Sequence, residues 1–267
     1  MFFLLNRWRD YIIARMTNTL LITGGASGIG AETARRAATR GYRIAINYRS
    51  RDAQAKAVVA DIAAKGSQAI ALPGDMANEA DIVRLFAETE RALGPITHLV
   101  NSAGIDPGKA RVEDYDAATL HRLFTINVTG LMLCCREATR RMSTRNGGKG
   151  GAIVNVSSMA ATLGGRKGAS AYAATKGAVD AFTKGFAREV AAEGIRVNSI
   201  RPGAVMTEMT EGRLNDEAVR TAIAASIPIQ RIGEAHEIAE AILWLLSNEA
   251  SFITGAMLDA SGGGYVI

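Results

Sequence analysis

The chain has 267 residues, 48% of them hydrophobic and 21% charged, with a formal net charge of +5. These values exclude a disordered or collagen-like chain, and the length fits one large α/β domain or two small ones. Lys and Arg form no dense run, so the charge indicates a mildly basic globular protein and no nucleic-acid binder.

Residues 1–15 begin with an apolar run, Met1 to Leu5, that is too short for a membrane span of about 20 residues. No basic stretch precedes it and no small-residue cleavage site follows, which speaks against a secretory signal. Met16-Thr17-Asn18 stands directly before the first strand. Residues 1–15 are therefore expected to be an upstream extension and 16–267 a single domain. A short interfacial helix carrying Trp8 and three arginines is the alternative.

Strand patterns fall at Leu20–Thr23, Arg43–Tyr48, Gln68–Leu72, His98–Asn101, Ala152–Ser157, Arg196–Ile200 and Ala256–Asp259. Several are continuous apolar runs, as in parallel strands covered on both faces. Helical patterns alternate with them, at Ile29–Arg40, Asp52–Lys65, Glu79–Leu93, Ala117–Thr144, Ser170–Ala192, Asp216–Ala225 and Ala235–Ser247. Asn78 reads as an N-cap, and Gly41, Gly66, Gly94 and Gly194 stand just past helix ends. Strict alternation without a divided linker predicts a single-domain α/β fold, a doubly wound parallel sheet of the Rossmann type with about seven strands.

The first βα turn reads Thr23-Gly24-Gly25-Ala26-Ser27-Gly28-Ile29-Gly30. Glycines at 24, 28 and 30 let the backbone turn sharply and bring its N–H groups to a pyrophosphate at the start of the following helix. The end of the second strand reads Asn47-Tyr48-Arg49-Ser50-Arg51 and lacks the acid that would hold a ribose 2′-hydroxyl. An uncharged Asn beside Arg49 suits a 2′-phosphate, hence NADP ahead of NAD. Two solvated loop arginines are the other reading.

Later in the chain, Tyr172 and Lys176 stand at i and i+4 on a predicted helix and so share a face. A nearby ammonium favours phenolate, which makes a tyrosine usable as an acid or base near neutral pH. The two cysteines, Cys134 and Cys135, are sequence neighbours unsuited to a structural disulfide, which suggests a reduced, cytoplasmic protein. His98, His121 and His236 are scattered, so no metal site is expected.

Thr23-Gly24-x-x-x-Gly28-x-Gly30, Asn101-Ser102-Ala103-Gly104, Asn127, Ser158, Tyr172-x-x-x-Lys176 and Pro202-Gly203 together resemble the short-chain dehydrogenase/reductase family. The resemblance runs from about Thr19 to Gly263. The stretch around Ser158 and Tyr172 is similar to a bacterial subgroup of glucose-dehydrogenase-like or 3-oxoacyl-reductase-like members. It implies an oxidoreductase that interconverts a carbonyl and an alcohol with a nicotinamide cofactor. Tyr172 would be the acid/base, Lys176 would lower its pKa and grip the nicotinamide ribose, and Ser158 would polarise the carbonyl. Ser157 is the alternative serine. Asn127 would position a water that links Lys176 to solvent, or simply cap or bend its helix. The cofactor would meet Gly24, Ser27, Gly28, Ile29 and Gly30, then Arg49 and Ser50. Asp75 and Met76 would flank the adenine, and Asn101, Ala103 and Gly104 would line the ribose and support the sheet. Pro202, Gly203 and Thr207 would cover the nicotinamide.

Three features depart from the family pattern. Ser27 stands where many NADP-using members carry a basic residue, Asn-Ser-Ala-Gly replaces Asn-Asn-Ala-Gly, and the gap from Ser158 to Tyr172 is one residue longer. The added residue falls in Leu163–Ser170, on the substrate side. The segment Ala204 to Arg231 is expected to cover the substrate with Val205, Met206, Met209, Leu214 and Ile223, while Arg213, Asn215 and Arg220 could meet its polar groups. The partners expected are a small carbonyl or alcohol substrate and, by the same resemblance, copies of the chain in a homotetramer built on the helices at 117–144 and 170–192, with no membrane. A redox sensor or scaffold of the same fold is the rival, and the intact Asn127, Ser158, Tyr172 and Lys176 set argues against it.

Overall fold

A computed structural model describes residues 18–264, so the expected extension at 1–15 lies outside the described residues. The strands are β1 (Thr19–Thr23), β2 (Arg43–Tyr48), β3 (Ala69–Pro73), β4 (Ile96–Asn101), β5 (Gly151–Val156), β6 (Ile195–Pro202), β7 (Val205–Met206), β8 (Gly233–Glu234) and β9 (Met257–Ala260). Seven of them form one parallel sheet in the order β3-β2-β1-β4-β5-β6-β9, while β7 and β8 pair only with each other.

The continuous apolar runs explain how this sheet is buried. Successive side chains of a strand point to opposite faces. Leu20, Ile22, Ile44, Ile46, Val100 and Val154 enter one core layer. That layer is completed by α1 (Gly28–Ala38), α2 (Asp52–Ala64) and the later helix at Ala235–Leu246. Leu21, Ala45, Leu99, Ile153 and Val197 enter the other. Each such side chain contributes about 1.5–3 kcal/mol by burial, so both faces of the strands favour this one register.

The second layer is covered by α3 (Glu79–Leu93), α4 (Ala117–Phe124), α5 (Leu131–Met142) and, after the short α6 (Ala160–Leu163), the long α7 (Ser170–Val190). Next come α8 (Glu208–Leu214), α9 (Glu217–Ser226) and α10 (Ala235–Leu246), the last of which packs on α1 in the first layer. Asn78 caps α3 by accepting from Ala80 N at 2.9 Å, as its position suggests. By composition and length, Ala117–Met142 could cross a membrane. Here it instead sends Leu123, Ile126, Leu131, Cys134 and Cys135 into the interior.

The pattern at 117–144 predicts one continuous helix, and the structure interrupts it. A π-helical turn at Thr125–Gly130 separates α4 from α5. Such turns add a residue without disturbing the apolar face on either side, which is why the periodicity hides them. Asn127 lies within this turn. Gly130 at its end passes so close to the loop after β3 that an added Cβ would lie 2.2 Å from the Met76 carbonyl oxygen.

Because β1 sits centrally and the chain goes first to β2 and later to β4, a crevice opens at the C-terminal ends of these strands. Gly130→Ala should lower stability by about 1–3 kcal/mol, the usual range for overpacking a buried position. Its denaturation midpoint in urea checks this, and an unchanged midpoint would show that the turn can yield.

Candidate active site

The crevice holds a cavity of about 570 Å³. Its floor comes from the glycine loop. Gly24 has φ +66°, and a Cβ there would stand 2.8 Å from the Ala103 Cα, so only glycine lets β1 and the β4 loop close up. Gly30 packs on the Gly24 carbonyl from the first turn of α1. Ser27 is the N-cap of α1 and makes no side-chain capping bond, which leaves the helix N-terminus facing the cavity beside Gly28 and Ile29. A flat, close-packed backbone ending in a helix N-terminus fits a pyrophosphate.

Ala103, Gly104, Tyr172, Lys176, Pro202, Gly203 and Thr207 line the same cavity. Gly30, Arg49, Ser50 and Asp75 lie outside its lining, as do two residues whose side chains are turned away into the interior. Asn101 is buried and donates to Asn155 Oδ1 at 2.9 Å, so it braces β4 against β5. Met76 lies in the core against Gly130 and Cys134. Only their backbones remain available to a ligand, because the bond to Asn155 takes one side chain and the apolar core takes the other.

At the end of β2, Asn47 is also turned inward. Its Nδ2 donates to the Gly74 carbonyl at 3.0 Å, and its Oδ1 accepts from Gly24 N at 3.4 Å. It thus ties the glycine loop to the loop after β3. Arg49 and Ser50 are exposed beyond it. The positive charge of Arg49 helps to hold the Asp75 carboxyl below its usual range, together with hydrogen bonds from Ala77 N and Arg122 that outweigh the cost of burial.

At the far end of the cavity stand Ser158, Tyr172 and Lys176. Ser157 is buried and its hydroxyl donates to the Lys176 carbonyl at 3.2 Å. Ser158 instead accepts from Ala160 N at 3.1 Å, bonds with the Tyr172 side chain and lines the cavity. Lys176 is 6% exposed and its Nζ donates to the Val156 carbonyl at 2.8 Å. The ammonium lies 5.7 Å from the centre of the Tyr172 ring.

Burial pushes the Tyr172 phenol up to about 12, and the Asp106 carboxylate adds to the rise, against the bond from Ser158 and the charge of Arg166. Burial pulls Lys176 down to about 8, with Asp180 opposing it. The sequence spacing suggests a phenol lowered by the lysine. In the protein alone the phenol keeps its proton, because burial disfavours phenolate and the ammonium bonds to a carbonyl.

The side chain of Asn127 is engaged by neighbouring protein groups. Its Oδ1 accepts from Ile105 N at 2.8 Å, while Nδ2 donates to the Ile105 carbonyl at 2.9 Å and to Thr175 Oγ1 at 3.2 Å. It staples the loop after β4 to α7, with Gly104 lying between its amide and Lys176.

The substrate side shows residues that sequence reasoning missed. Asp106, Lys109 and Arg166 all line the cavity. The loop of Asp106 and the loop of Arg166 are joined, because Ala110 N and the Tyr115 hydroxyl both donate to the Gly168 carbonyl, at 3.0 and 3.2 Å. The longer gap before Tyr172 was the only signal for Arg166, and Asp106 had none beyond following the Asn101–Gly104 motif. Of the covering segment, Val205, Thr207, Met209 and Ile223 face the cavity. Leu214 is buried with Ile227 and Ile232, Arg220 pairs with Glu217, and Asn215 lies on a separate groove with Glu234. The side chain of Arg213 lies outside the described residues. Among those residues no group of three or more His, Cys, Asp or Glu could hold a metal ion. Cys134 and Cys135 are both buried, and burial pushes the Cys134 thiol up to about 12.

Known proteins resemble the chain over nearly its whole length. A family model described as enoyl-(acyl carrier protein) reductase matches residues 24–265. The uncharacterized oxidoreductase YgfF of Escherichia coli is 45% identical over 91% of this chain and 98% of its own. The 3-oxoacyl-[acyl-carrier-protein] reductase FabG of Staphylococcus aureus is 33% identical over 94% of this chain and 100% of its own. Among solved structures, a short-chain dehydrogenase/reductase from Serratia marcescens is 30% identical with a TM-score of 0.85, covering 93% of this chain and 98% of that one. A blue fluorescent protein from a metagenomic library, solved in complex with NADPH, is 32% identical with the same TM-score and the same coverage. With the glycine loop, the Ser158–Tyr172–Lys176 cluster and the strand order all in place, the chain belongs to the short-chain dehydrogenase/reductase family.

Proposed function

We propose that the protein is an NADP(H)-dependent oxidoreductase that interconverts a carbonyl and a secondary alcohol, with Tyr172 as the acid/base. The observation that carries this reading is the meeting of Ser158, Tyr172 and the buried Lys176, whose Nζ lies 5.7 Å from the centre of the phenol ring, in one cavity with the glycine loop. The glycine loop and the N-terminus of α1 would hold the pyrophosphate, and Ala103, Gly104, Lys176, Pro202, Gly203 and Thr207 would hold the nicotinamide half. When bound, the nicotinamide supplies or accepts the hydride.

The residues of the chain manage the proton and the oxygen. Ser158 donates a hydrogen bond to the substrate carbonyl and so polarises it. Tyr172 gives its proton to that oxygen in reduction and takes it back in oxidation. Lys176, charged below about pH 8, stabilises the phenolate that remains. Asn127 keeps the loop of Gly104 against this cluster.

The preference for NADP rests on the end of β2, where no carboxylate stands and Arg49 is exposed beside Asp75. The NADPH-bound relative supports it. We also read the assembly as a homotetramer in the cytoplasm. That reading rests on the family resemblance, since the stacked Phe182 and Phe186 of α7 belong to the interior of the single chain.

Tyr172→Phe should bind NADPH nearly as the native protein does and lose at least about a hundredfold in kcat on a carbonyl substrate, the scale of general acid catalysis. Most of the activity surviving would remove Tyr172 from the chemistry. Arg49→Ala should weaken NADPH about tenfold in a fluorescence titration and leave NADH nearly unchanged. Equal loss for both cofactors would reject the proposed 2′-phosphate contact. Asp106→Asn removes a charge that holds the phenol's proton, so the pH at which alcohol oxidation sets in should fall, while Arg166→Gln should raise it. The pH profile of kcat/KM checks both signs.

A further inference from the structure

Lys176 raises a question that its place in the site does not answer. Its ammonium is buried and, among the described residues, has no ion pair. Its hydrogen bond goes to the uncharged Val156 carbonyl. A buried ammonium without a counter-charge tends to lose its proton. Yet an acid/base tyrosine needs that charge beside it.

One helical turn further along α7, at i+4 from Lys176, stands Asp180. Its carboxylate is clamped on both oxygens. Oδ1 accepts from Ser199 Oγ at 2.9 Å, and Oδ2 accepts from Arg201 Nε at 2.8 Å, both donors standing on β6. Arg201 in turn donates to Asp259 on β9 at 3.1 Å. The side chains of Arg201 and Asp180 are only 14% and 12% exposed, so this pair is poorly screened by solvent. The carboxylate is thereby held in place by two donors, one of them cationic, one helical turn from Lys176 and with no bond to it among the described residues.

We propose that Asp180 is a positioning residue for the reaction, a fixed negative charge that keeps Lys176 protonated through neutral pH. The inference rests on the reading of Lys176 as part of the active site. Asp180 is the charge that opposes the effect of burial on Lys176. The other groups around the two residues do not replace it. On α7, Tyr172 is neutral at this pH. The π-helical turn contributes the amide of Asn127, β5 contributes the Val156 carbonyl, the loop after it contributes the Ser157 hydroxyl, and the cationic Arg201 is itself spent on two carboxylates.

The charge of Lys176 can be read without turnover. Lys176 lines the cavity, so a small reagent such as acetic anhydride reaches it. Trace acetylation across a pH series, followed by mass spectrometry of the peptide, yields the midpoint at which the amine becomes reactive. The native midpoint should lie near pH 8. Asp180→Asn should move it down by about half a unit or more, and the high-pH limb of carbonyl reduction should move with it. Asp180→Glu should restore both.

Arg201→Gln separates charge from packing. It breaks the same clamp but leaves the carboxylate without its neighbouring cation, so the midpoint should rise. An unchanged midpoint in Asp180→Asn overturns the proposal, and so does an unchanged or lower midpoint in Arg201→Gln. If Asp180→Asn fails to fold, which its melting curve would show, the Arg201→Gln result still decides by its sign. A protein with the expected labelling shifts but no carbonyl or alcohol turnover would keep this inference and reject the reaction proposed above.

Discussion

The docking of α7 on the end of β5 is the contact on which the rest of the site depends. It is made in both directions. Ser157 on the loop after β5 donates its hydroxyl to the Lys176 carbonyl, and Lys176 donates its ammonium to the Val156 carbonyl. These two bonds fix the height of the helix along the strand. With that height set, Tyr172 falls one turn above Lys176, next to Ser158, and Asp180 falls one turn below, next to Ser199 and Arg201. A shift of one residue would rotate all three by about 100° around the helix axis.

A second layer of polar groups lies beneath this contact. Asn101 on β4 donates to Asn155 on β5, and Asn155 donates to Thr183 on α7, both at 2.9 Å. All three side chains are buried. Buried amides are stabilising only when their partners are in position, so they specify one strand pairing and one helix placement where an all-apolar core would accept several. The Oδ1 of Asn101 has no partner, the one incompletely satisfied amide of this chain of contacts.

Most of the sheet was legible in the sequence because its strands are buried on both faces and read as unbroken apolar runs. Leu20–Ile22 and Ile44–Ile46 are the plainest cases, while the order of the strands comes from the structure, since crossover rules narrow it without fixing it. Tyr172 and Lys176 were legible for a similar reason, since i and i+4 on a helix must share a face. What escaped was determined by contacts distant in sequence. The π-helical turn leaves the apolar pattern intact on both sides, so nothing local marks it, and only the packed structure shows that Asn127 is held by Ile105 and Thr175. Asn47 reads only as an uncharged position beside Arg49 at the end of β2. Its side chain instead meets backbone groups from two other loops, which no one-dimensional pattern encodes. β7, β8 and α8 are too short to show a period at all.

The bonds that join the loop of Asp106 to the loop of Arg166 have a consequence for how substrate range can change. The Gly168 carbonyl receives both Ala110 N and the Tyr115 hydroxyl, so two stretches far apart in the chain make one continuous wall. The bond from Ala110 N is between backbone groups and depends on the path of both loops, whereas the other depends on a tyrosine at position 115. A change of length in one stretch, or of Tyr115, is therefore felt across the seam by the other, while β5 and α7 behind them stay as they are.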